Sequence, residues 1–395
     1  MSRSHVARAA VLVALLVSSP ALATPLATIP FHLNGTAIML PVRIQNSDTL
    51  WFALDTGAAA SSVNQPRAEQ LGLDFRQRSV AQGAAGSVES RQLGAIDFQL
   101  GTVTLHTETA SAFPLVGLAP RMGHVMDGII GAELFQRYVV EIDYAHSTLR
   151  LYEPKDFHYE GKGERLPLTY KIHLPYIEAA IRLSDGRRLE GRYVIDTGSS
   201  QAVILLPAYA ARESVQATVT KTVAMSGQAV GGQTESRTGR LAGLDLGSLR
   251  LSQPLVSIAQ TGPAHFAVEG AAGNIGGSIL KKFRCTFDYA RKEMILDPVS
   301  DLADPVPFDA SGLVLITSGA AFDTITVSRV IPQSPAEEAG LQVGDQLLSV
   351  DGKPVTDLGV VRLRERLRQA GSSVTLAVSR GTRTWTVPLQ LRQLL

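Results

Sequence analysis

Short stretches of alternating apolar and polar residues recur along most of this chain, and this is the pattern of half-buried β-strands. The alternation is clearest over 42–54 and 181–195. An Asn-Gly pair at 34–35 and an Asp-Gly pair at 185–186 interrupt similar stretches and predict tight hairpin turns. Helical patterns are few and short, at 65–71 and 132–138. The chain is therefore predicted to be mostly β.

The first segment departs from this pattern. Arg3 and Arg8 precede an apolar run over 9–17, and Ala21-Leu22-Ala23 then places small residues where a signal peptidase reads the chain. Residues 1–23 are predicted to be a secretory signal peptide, and the alternative is a short membrane anchor. No later stretch is apolar for long enough to span a bilayer. We therefore expect an exported protein, periplasmic or secreted, without a membrane span after signal cleavage.

Three segments of the chain occur twice, in the same order and at nearly the same spacing. The stretch 52–58 resembles 193–199, 128–135 resembles 273–280, and 140–145 resembles 285–290. Such self-similarity predicts two copies of one domain. We place the first copy at 24–160 and the second at 161–300, followed by a linker at 301–308 and a different domain at 309–395.

Composition narrows the classes of function. The chain is 45% hydrophobic and 18% charged, with a formal net charge of +1, which gives no general electrostatic reason to bind nucleic acid. Cys285 is the one cysteine, so no internal disulfide can form, and it is predicted to be a core residue. The eight histidines show no metal-ligand spacing. We expect no metal and no organic cofactor.

The duplicated segments carry an Asp-Thr-Gly motif each, at 55–57 and 196–198, directly after an apolar strand. An Ile-Gly element follows each motif, at 130–131 and 275–276. In this the chain resembles the aspartic protease families, retropepsin-like and pepsin-like. The resemblance implies two loops that face each other across a pseudo-twofold axis. It implies catalytic roles for Asp55 and Asp196, and loop-supporting roles for Thr56, Gly57, Thr197 and Gly198.

Paired carboxylates suit peptide hydrolysis for a physical reason. Two carboxyl groups held close cannot both ionise easily, so the pair shares a proton. One carboxylate can then act as base on a water molecule while the other donates a proton to the scissile carbonyl. The prediction is an aspartic endopeptidase in which Asp55 and Asp196 activate water between them. Peptides or proteins would be its substrates.

Members of these families cover the substrate with a glycine-rich β-hairpin flap. Glycine-rich stretches stand at the matching place in each copy, so two flaps are expected, as in a retropepsin dimer. The predicted flap residues are Gly83, Ala84, Ala85 and Gly86 in the first copy, and Gln228, Ala229 and Val230 in the second. In the second copy Asn274 replaces Ile129 of the first, so different packing is expected behind that loop.

The last ninety residues resemble a bacterial PDZ domain. Ser334-Pro335-Ala336-Glu337 forms a capping box, and Gly340, a Gly-Asp pair at 344–345 and an Asp-Gly pair at 351–352 follow. The resemblance implies a carboxylate-binding loop whose backbone N–H groups hold a chain terminus beside an added β-strand. It assigns peptide binding to Ser311, Gly312, Leu313 and Val314. The arginines at 362, 364, 366 and 368 are predicted to form a solvated helix face.

The predicted fold is thus mostly β, with two acid-protease-like lobes related by a pseudo-twofold axis and a C-terminal, β-sandwich-like PDZ domain with two helices. Its partners would be peptide or protein substrates and a C-terminal peptide on the PDZ domain, and a monomer is expected. One alternative is a non-catalytic peptide-binding protein that keeps the protease fold. Another pairs each lobe with its copy in a second chain.

Overall fold

The structure, a computed structural model, describes residues 24–108, 110–115, 117–260 and 270–395. The predicted signal peptide lies outside these residues. Within the described ranges, no helix is both long and apolar enough to cross a bilayer.

The first lobe is a β-structure with three short helices. Its strands are β1 (Ala27–Pro30), β2 (His32–Asn34), β3 (Ala37–Ile44), β4 (Leu50–Leu54), β5 (Ser62–Asn64), β6 (Phe75–Gly83), β7 (Gly86–Leu93), β8 (Ile96–Leu100), β9 (Val103–Thr107), β10 (Ala110–Phe113), β11 (Gly128–Ile130), β12 (Val139–Asp143) and β13 (Thr148–Tyr152). Its helices are α1 (Gln65–Gln70), α2 (Ala119–Met122) and α3 (Ala132–Arg137).

The second lobe repeats this arrangement. Its strands are β14 (Glu164–Pro167), β15 (Thr169–Lys171), β16 (Leu174–Arg182), β17 (Arg188–Asp196), β18 (Val203–Leu205), β19 (Val223–Ala229), β20 (Gly232–Arg240), β21 (Gly243–Leu246), β22 (Leu249–Ser252), β23 (Leu255–Ala259), β24 (Ala271–Gly276), β25 (Phe283–Asp288) and β26 (Glu293–Pro298). Its helices are α4 (Pro207–Arg212), α5 (Gly277–Leu280) and a 3-10 turn at Val215–Ala217.

The two lobes have the same sheet topology. Each contains a ten-stranded sheet, in the order β6-β7-β10-β5-β11-β4-β3-β8-β9 in the first lobe and β19-β20-β23-β18-β24-β17-β16-β21-β22 in the second. In each sheet one further strand lies off this path: β2 pairs with β3, and β15 pairs with β16. Every strand of one order has its counterpart at the same place in the other, as expected for two copies of one sequence unit.

A third sheet joins the lobes within the chain. Its order is β1-β13-β12-β25-β26-β14, so strands of both lobes lie side by side. At the junction β12 and β25 are antiparallel, with Ile142 opposite Cys285. Both side chains are fully buried, which confirms the prediction that Cys285 is a core residue. Because the sheet crosses the boundary, one hydrophobic cluster runs through both lobes.

The PDZ domain is a separate, smaller β-structure with its own core. It contains β27 (Leu313–Ser318), β28 (Thr324–Val330), α6 (Pro335–Glu338), β29 (Gln346–Val350), β30 (Lys353–Pro354), α7 (Val355–Leu367), β31 (Ser373–Arg380) and β32 (Arg383–Gln390). The sheet order is β27-β28-β29-β31-β32, with β30 beside β29. The Ser334 hydroxyl caps α6 by accepting the Glu337 N–H, as the capping box predicts.

These features confirm the predicted fold class, a mostly β chain with two duplicated lobes and a C-terminal PDZ domain with two helices. Both predicted hairpin turns are also confirmed, between β2 and β3 and between β16 and β17. The domain boundaries stay predictions. The prediction that the arginines of α7 form a solvated face is wrong at Arg364. Its guanidinium donates hydrogen bonds to the carbonyls of Leu315 and Arg121.

Candidate functional site

The two Asp-Thr-Gly loops lie at equivalent strand ends. β4 ends at Leu54, directly before Asp55, and β17 ends at Asp196. Each strand lies parallel to the strand that carries the Ile-Gly element, β4 to β11 and β17 to β24. The Asp55 N–H donates to the carbonyl of Ile130 at 3.0 Å. The central strands of both lobes therefore deliver the two aspartates to one place.

Reciprocal hydrogen bonds between two buried threonines tie the loops together. The Thr56 N–H donates to the Thr197 hydroxyl, and the Thr197 N–H donates to the Thr56 hydroxyl, both at 3.0 Å. Each hydroxyl in turn donates to a carbonyl of the opposite lobe, from Thr56 to Ile195 at 2.6 Å and from Thr197 to Leu54 at 2.8 Å. The two loops thus meet within one chain.

The glycine of each loop faces the aspartate of the other loop. A Cβ at Gly57 would lie 2.9 Å from Cγ of Asp196, and a Cβ at Gly198 would lie 2.6 Å from Oδ1 of Asp55. Neither separation is possible for a real side chain, so both positions require glycine for space. Neither glycine has a positive φ, so space rather than an unusual turn explains the residue choice.

Burial and mutual proximity determine how the carboxyl pair ionises. Burial raises the pKa of Asp55, against the opposing effect of the Gly57 N–H, which donates to its Oδ1 at 2.7 Å. Burial and the nearby Asp55 carboxylate raise the pKa of Asp196 well above its ordinary value. Such a pair retains a proton at a pH where isolated carboxyls have lost theirs, so it can offer a donor and an acceptor side by side.

An asparagine makes the pair asymmetric. Asn274 Nδ2 donates to Asp196 Oδ2 at 2.6 Å, while Asp196 Oδ1 accepts the Ser199 N–H at 2.9 Å. The matching position of the first lobe is Ile129, which cannot donate. The sequence comparison of the two copies marks this difference, but only the parallel pairing of β17 with β24 shows that the amide reaches the carboxylate.

A serine–glutamate pair behind the first loop was not predicted. The Ser61 hydroxyl accepts the Gly131 N–H at 3.0 Å and donates to Glu133 at 2.9 Å. Glu133 also accepts the Ser61 N–H. These contacts connect the end of the Asp55 loop to the start of α3. No local motif indicates them, because 72 positions separate the two side chains.

The predicted flap residues lie at the tips of two β-hairpins that meet. β6 and β7 form one hairpin, and β19 and β20 form the other. The Ala85 N–H donates to the Val230 carbonyl at 3.0 Å, and a Cβ at Gly83 would overlap Val230. A cavity of about 160 Å³ lies beside the tips, between Ser87 and Val88 of the first hairpin, Leu115 and Leu118 of the first lobe, and residues 228–232 of the second hairpin. Its lining includes neither aspartate. Val88 of the first hairpin and Val230 of the second pack against the apolar cluster that contains Ala53, two positions before Asp55.

The predicted carboxylate-binding loop of the PDZ domain has its N–H groups engaged internally. The N–H groups of Ser311 and Gly312 both donate to Asp309 Oδ1, at 2.9 and 2.6 Å. The Leu313 N–H donates to the Ser311 hydroxyl at 3.0 Å. Val314 follows in β27. The structure therefore places these four residues together, but an internal carboxylate takes the position that a chain terminus was expected to hold.

Comparison with known proteins gives two family matches and several relatives that are similar over a short stretch only. A family model described as aspartyl protease matches residues 40–134, and one described as PDZ domain matches residues 326–380. The putative serine protease HhoA of Synechocystis sp. is 40% identical over 74 residues, 18% of this chain and 18% of that protein. The periplasmic serine endoproteases DegP of Salmonella typhimurium and Escherichia coli K12 are each 36% identical over 67 residues, 17% of this chain and 14% of theirs.

The names of these relatives correct the prediction of an aspartic endopeptidase, because the curated proteins that match are serine proteases. The chain spans less than a fifth of their length, and the matched stretch is shorter than either lobe. Among the described residues, no serine hydroxyl is hydrogen-bonded to a histidine ring nitrogen, so the chemistry in those names is not transferred to this chain. The coarser description that remains is a protease-like chain with a PDZ domain.

The threonine contacts predict the stability of the lobe interface. Thr197→Val keeps the shape of the side chain but leaves the Thr56 N–H and the Leu54 carbonyl without partners. Because each buried unpaired group costs about 1–3 kcal/mol, we expect the two groups together to lower the free energy of unfolding by roughly 2–6 kcal/mol. Urea titration followed by circular dichroism measures it. Thr197→Ser should lose clearly less, and the exposed Thr49→Val should change little; equal losses for Thr197→Val and Thr197→Ser would contradict the assignment.

The Asp309 carboxyl predicts a pH dependence. Burial raises its pKa to about 6, so the folded chain binds this proton more tightly than the unfolded chain does. Its contribution to the free energy of unfolding is therefore full below about pH 4 and is lost as the pH rises through 6, by about 3 kcal/mol. Asp309→Asn should remove this decline, measured by urea titration from pH 4 to 7. The exposed Asp304→Asn is the control, and an unchanged pH profile in Asp309→Asn would refute the prediction.

Proposed function

We propose that this chain binds an extended polypeptide in the cleft between its lobes and hydrolyses it there, as an enzyme of the protease class. The observation that carries the proposal is the buried carboxyl pair, which the threonine contacts hold in place between the lobes. The proposal assigns the substrate class, the place of binding and the hydrolase class.

An apolar cluster beside the pair supports a polypeptide as the ligand. It contains Met39, Phe113, Leu115, Met126 and Ile129, all at least nine-tenths buried. Val88 of one flap and Val230 of the other pack against this cluster. Apolar side chains of a bound strand could replace these flap contacts, while the carboxyl oxygens meet the polar main chain. Ligand sites commonly combine apolar walls with a few placed polar groups in this way.

The flaps support an extended rather than a folded ligand. The closed cavity of about 160 Å³ is smaller than sites that enclose drug-sized ligands, so the hairpins must part before a polypeptide enters. Among the described residues, one backbone hydrogen bond joins the two tips, from the Ala85 N–H to the Val230 carbonyl, so parting the hairpins breaks a single main-chain bond. A strand lying along the cleft would then be covered from both lobes.

The proposed site residues follow from this placement. Asp55 and Asp196 are proposed to contact the amide that reacts. Thr56, Gly57, Thr197 and Gly198 hold and accommodate their carboxyl groups, and the flap residues at 83–86 and 228–230 cover the bound strand. Asn274 is an added supporting residue. The similarity to periplasmic DegP, together with the signal-peptide pattern at 1–23, supports export as part of the proposal.

The test uses the full chain and fluorescein-labelled casein, an unfolded polypeptide. We expect the protein to bind casein and to cleave it. Asp55→Asn and Asp196→Asn should each abolish cleavage and retain binding, because the change removes a charge but little volume. The matched control is Asp48→Asn, which changes an exposed aspartate of the first lobe.

Binding is measured by fluorescence anisotropy and cleavage by gel electrophoresis. Binding without cleavage by the unmutated protein would favour the alternative of a peptide-binding protein that keeps the protease fold. No binding of casein at all would refute the proposed function. Cleavage that persists in both Asn variants would place the reacting groups elsewhere in the chain.

A further inference from the structure

A segment of the first lobe fills the groove of the PDZ domain. The groove lies between β27 and α7, and β27 is the edge strand of its sheet, pairing only with β28 among the described strands. The segment 117–123, which includes α2, lies against this edge. The Thr317 hydroxyl of β27 donates to the Pro120 carbonyl at 2.8 Å. The groove is thus occupied from within the chain.

Arg364 of α7 is the central contact of this arrangement. Its guanidinium donates to the Arg121 carbonyl at 2.7 Å and to the Leu315 carbonyl of β27 at 2.6 Å. Burial lowers its pKa to about 10, and among the described residues no carboxylate forms an ion pair with it. Arg364 therefore binds a main-chain carbonyl of the first lobe and, at the same time, a carbonyl of the edge strand β27. A side chain buried in this way is costly unless its donors are satisfied.

Gly123 completes the contact at the end of α2. It has a φ of +67° and closes the helix in the left-handed conformation. A Cβ at this position would lie 3.6 Å from Cβ of Val360 in α7 and would overlap a methyl group of Val360. Only a residue without a side chain lets the first lobe approach α7 this closely.

The other end of the same segment lies in the wall of the cleft. Gly117 and Leu118 line the cavity beside the flap tips, together with Gln228 and Val230 of the second flap. A Cβ at Gly117 would be 3.2 Å from the Gln228 amide nitrogen. Seven residues therefore connect the PDZ groove to the flap that closes the cleft.

We infer that the PDZ domain is an internal latch: its groove holds the segment 117–123 and thereby keeps the flaps closed, and an extended polypeptide that adds to β27 displaces the segment and opens the cleft. This regulation rests on the proposed function for its substrate, but the latch itself does not depend on catalysis.

The chemistry of the groove identifies the displacing ligand. An edge strand accepts another strand through main-chain hydrogen bonds. A carbonyl of that strand could take the place of the Arg121 carbonyl on Arg364, and an apolar side chain could cover Val360 where Gly123 lies now. The internal carboxylate of Asp309 occupies the loop N–H groups, so the ligand needs no free carboxyl terminus. The partner is thus an internal, extended polypeptide segment.

A reversible disulfide tests the latch directly. The 3.6 Å separation between the two Cβ positions is within the range of disulfides, so Gly123→Cys combined with Val360→Cys should lock the PDZ domain onto the first lobe. Cys285 is fully buried, and its raised thiol pKa keeps it out of the reaction. The reduced form of the same protein is the matched control, and each single cysteine variant controls for the substitution itself.

Labelled casein is the probe. We expect the oxidised double variant to bind it at least about tenfold more weakly than its reduced form, because the lock removes the binding-competent state. Equal binding by the two forms would overturn the latch. If the left-handed backbone at position 123 prevents the disulfide from forming, the hydrogen-exchange measurement below decides on the latch instead. Absence of binding by the unmutated protein would refute the proposed function instead, and the next measurement then decides on the latch.

Amide hydrogen exchange measures how firmly the segment 117–123 and the second flap are held, and it needs no ligand. Arg364→Ala removes both carbonyl contacts, whereas Arg362→Ala alters an exposed arginine of the same helix. We expect faster amide exchange in 117–123 and in the flap residues 226–232 of Arg364→Ala, and unchanged exchange in Arg362→Ala. Unchanged exchange in the flap of Arg364→Ala would overturn the coupling, even if the PDZ domain itself loosened.

Discussion

The structure depends on a set of four hydrogen bonds between two threonines and two carbonyls. The Thr56 and Thr197 hydroxyls each accept an N–H from the opposite loop and donate to a carbonyl of the opposite lobe. All the groups involved are buried, so none of them can exchange its partner for water without a large loss. This set holds two carboxyl groups in contact, although burial and repulsion both disfavour their ionisation. The shared six-stranded sheet supports the same closure from the other side of the lobes.

Duplication explains the symmetry of the site, and single substitutions explain where the symmetry ends. The two ten-stranded sheets have matching strand orders, so the same turn, the same glycine and the same Ile-Gly element recur in each lobe. Asn274 breaks this equivalence by donating to Asp196, where the first lobe has Ile129. The Asn274 Oδ1 atom is buried and has no hydrogen-bond partner among the described atoms. An unpaired buried oxygen destabilises the fold, so packing alone does not explain an asparagine at this position. The two carboxyl groups therefore differ in their surroundings, although their sequence motifs are the same.

The PDZ domain shows how a binding groove can be changed by what packs on it. Its strand order and capping box follow from its own sequence, and its core is separate from that of the lobes. Its groove, however, contacts the first lobe through Thr317, Arg364 and Val360. The segment 117–123 that makes these contacts also lines the cleft beside the second flap. The binding properties of this domain therefore belong to the whole chain.

Sequence alone determined the elements whose signals are local or repeated. The alternation of apolar residues, the turn pairs and the capping box predicted strands, hairpins and a helix start, because each depends on residues a few positions apart. The duplicated motifs predicted two equivalent loops, and the resemblance to the aspartic protease families implied that these loops face each other. Tertiary structure alone decided the contacts between distant positions: the Asn274 amide on Asp196, Glu133 on Ser61, Asp309 within its loop, and Arg364 on the first lobe. Those partners are chosen by which strands and domains come to lie side by side, and single-sequence patterns do not contain that information.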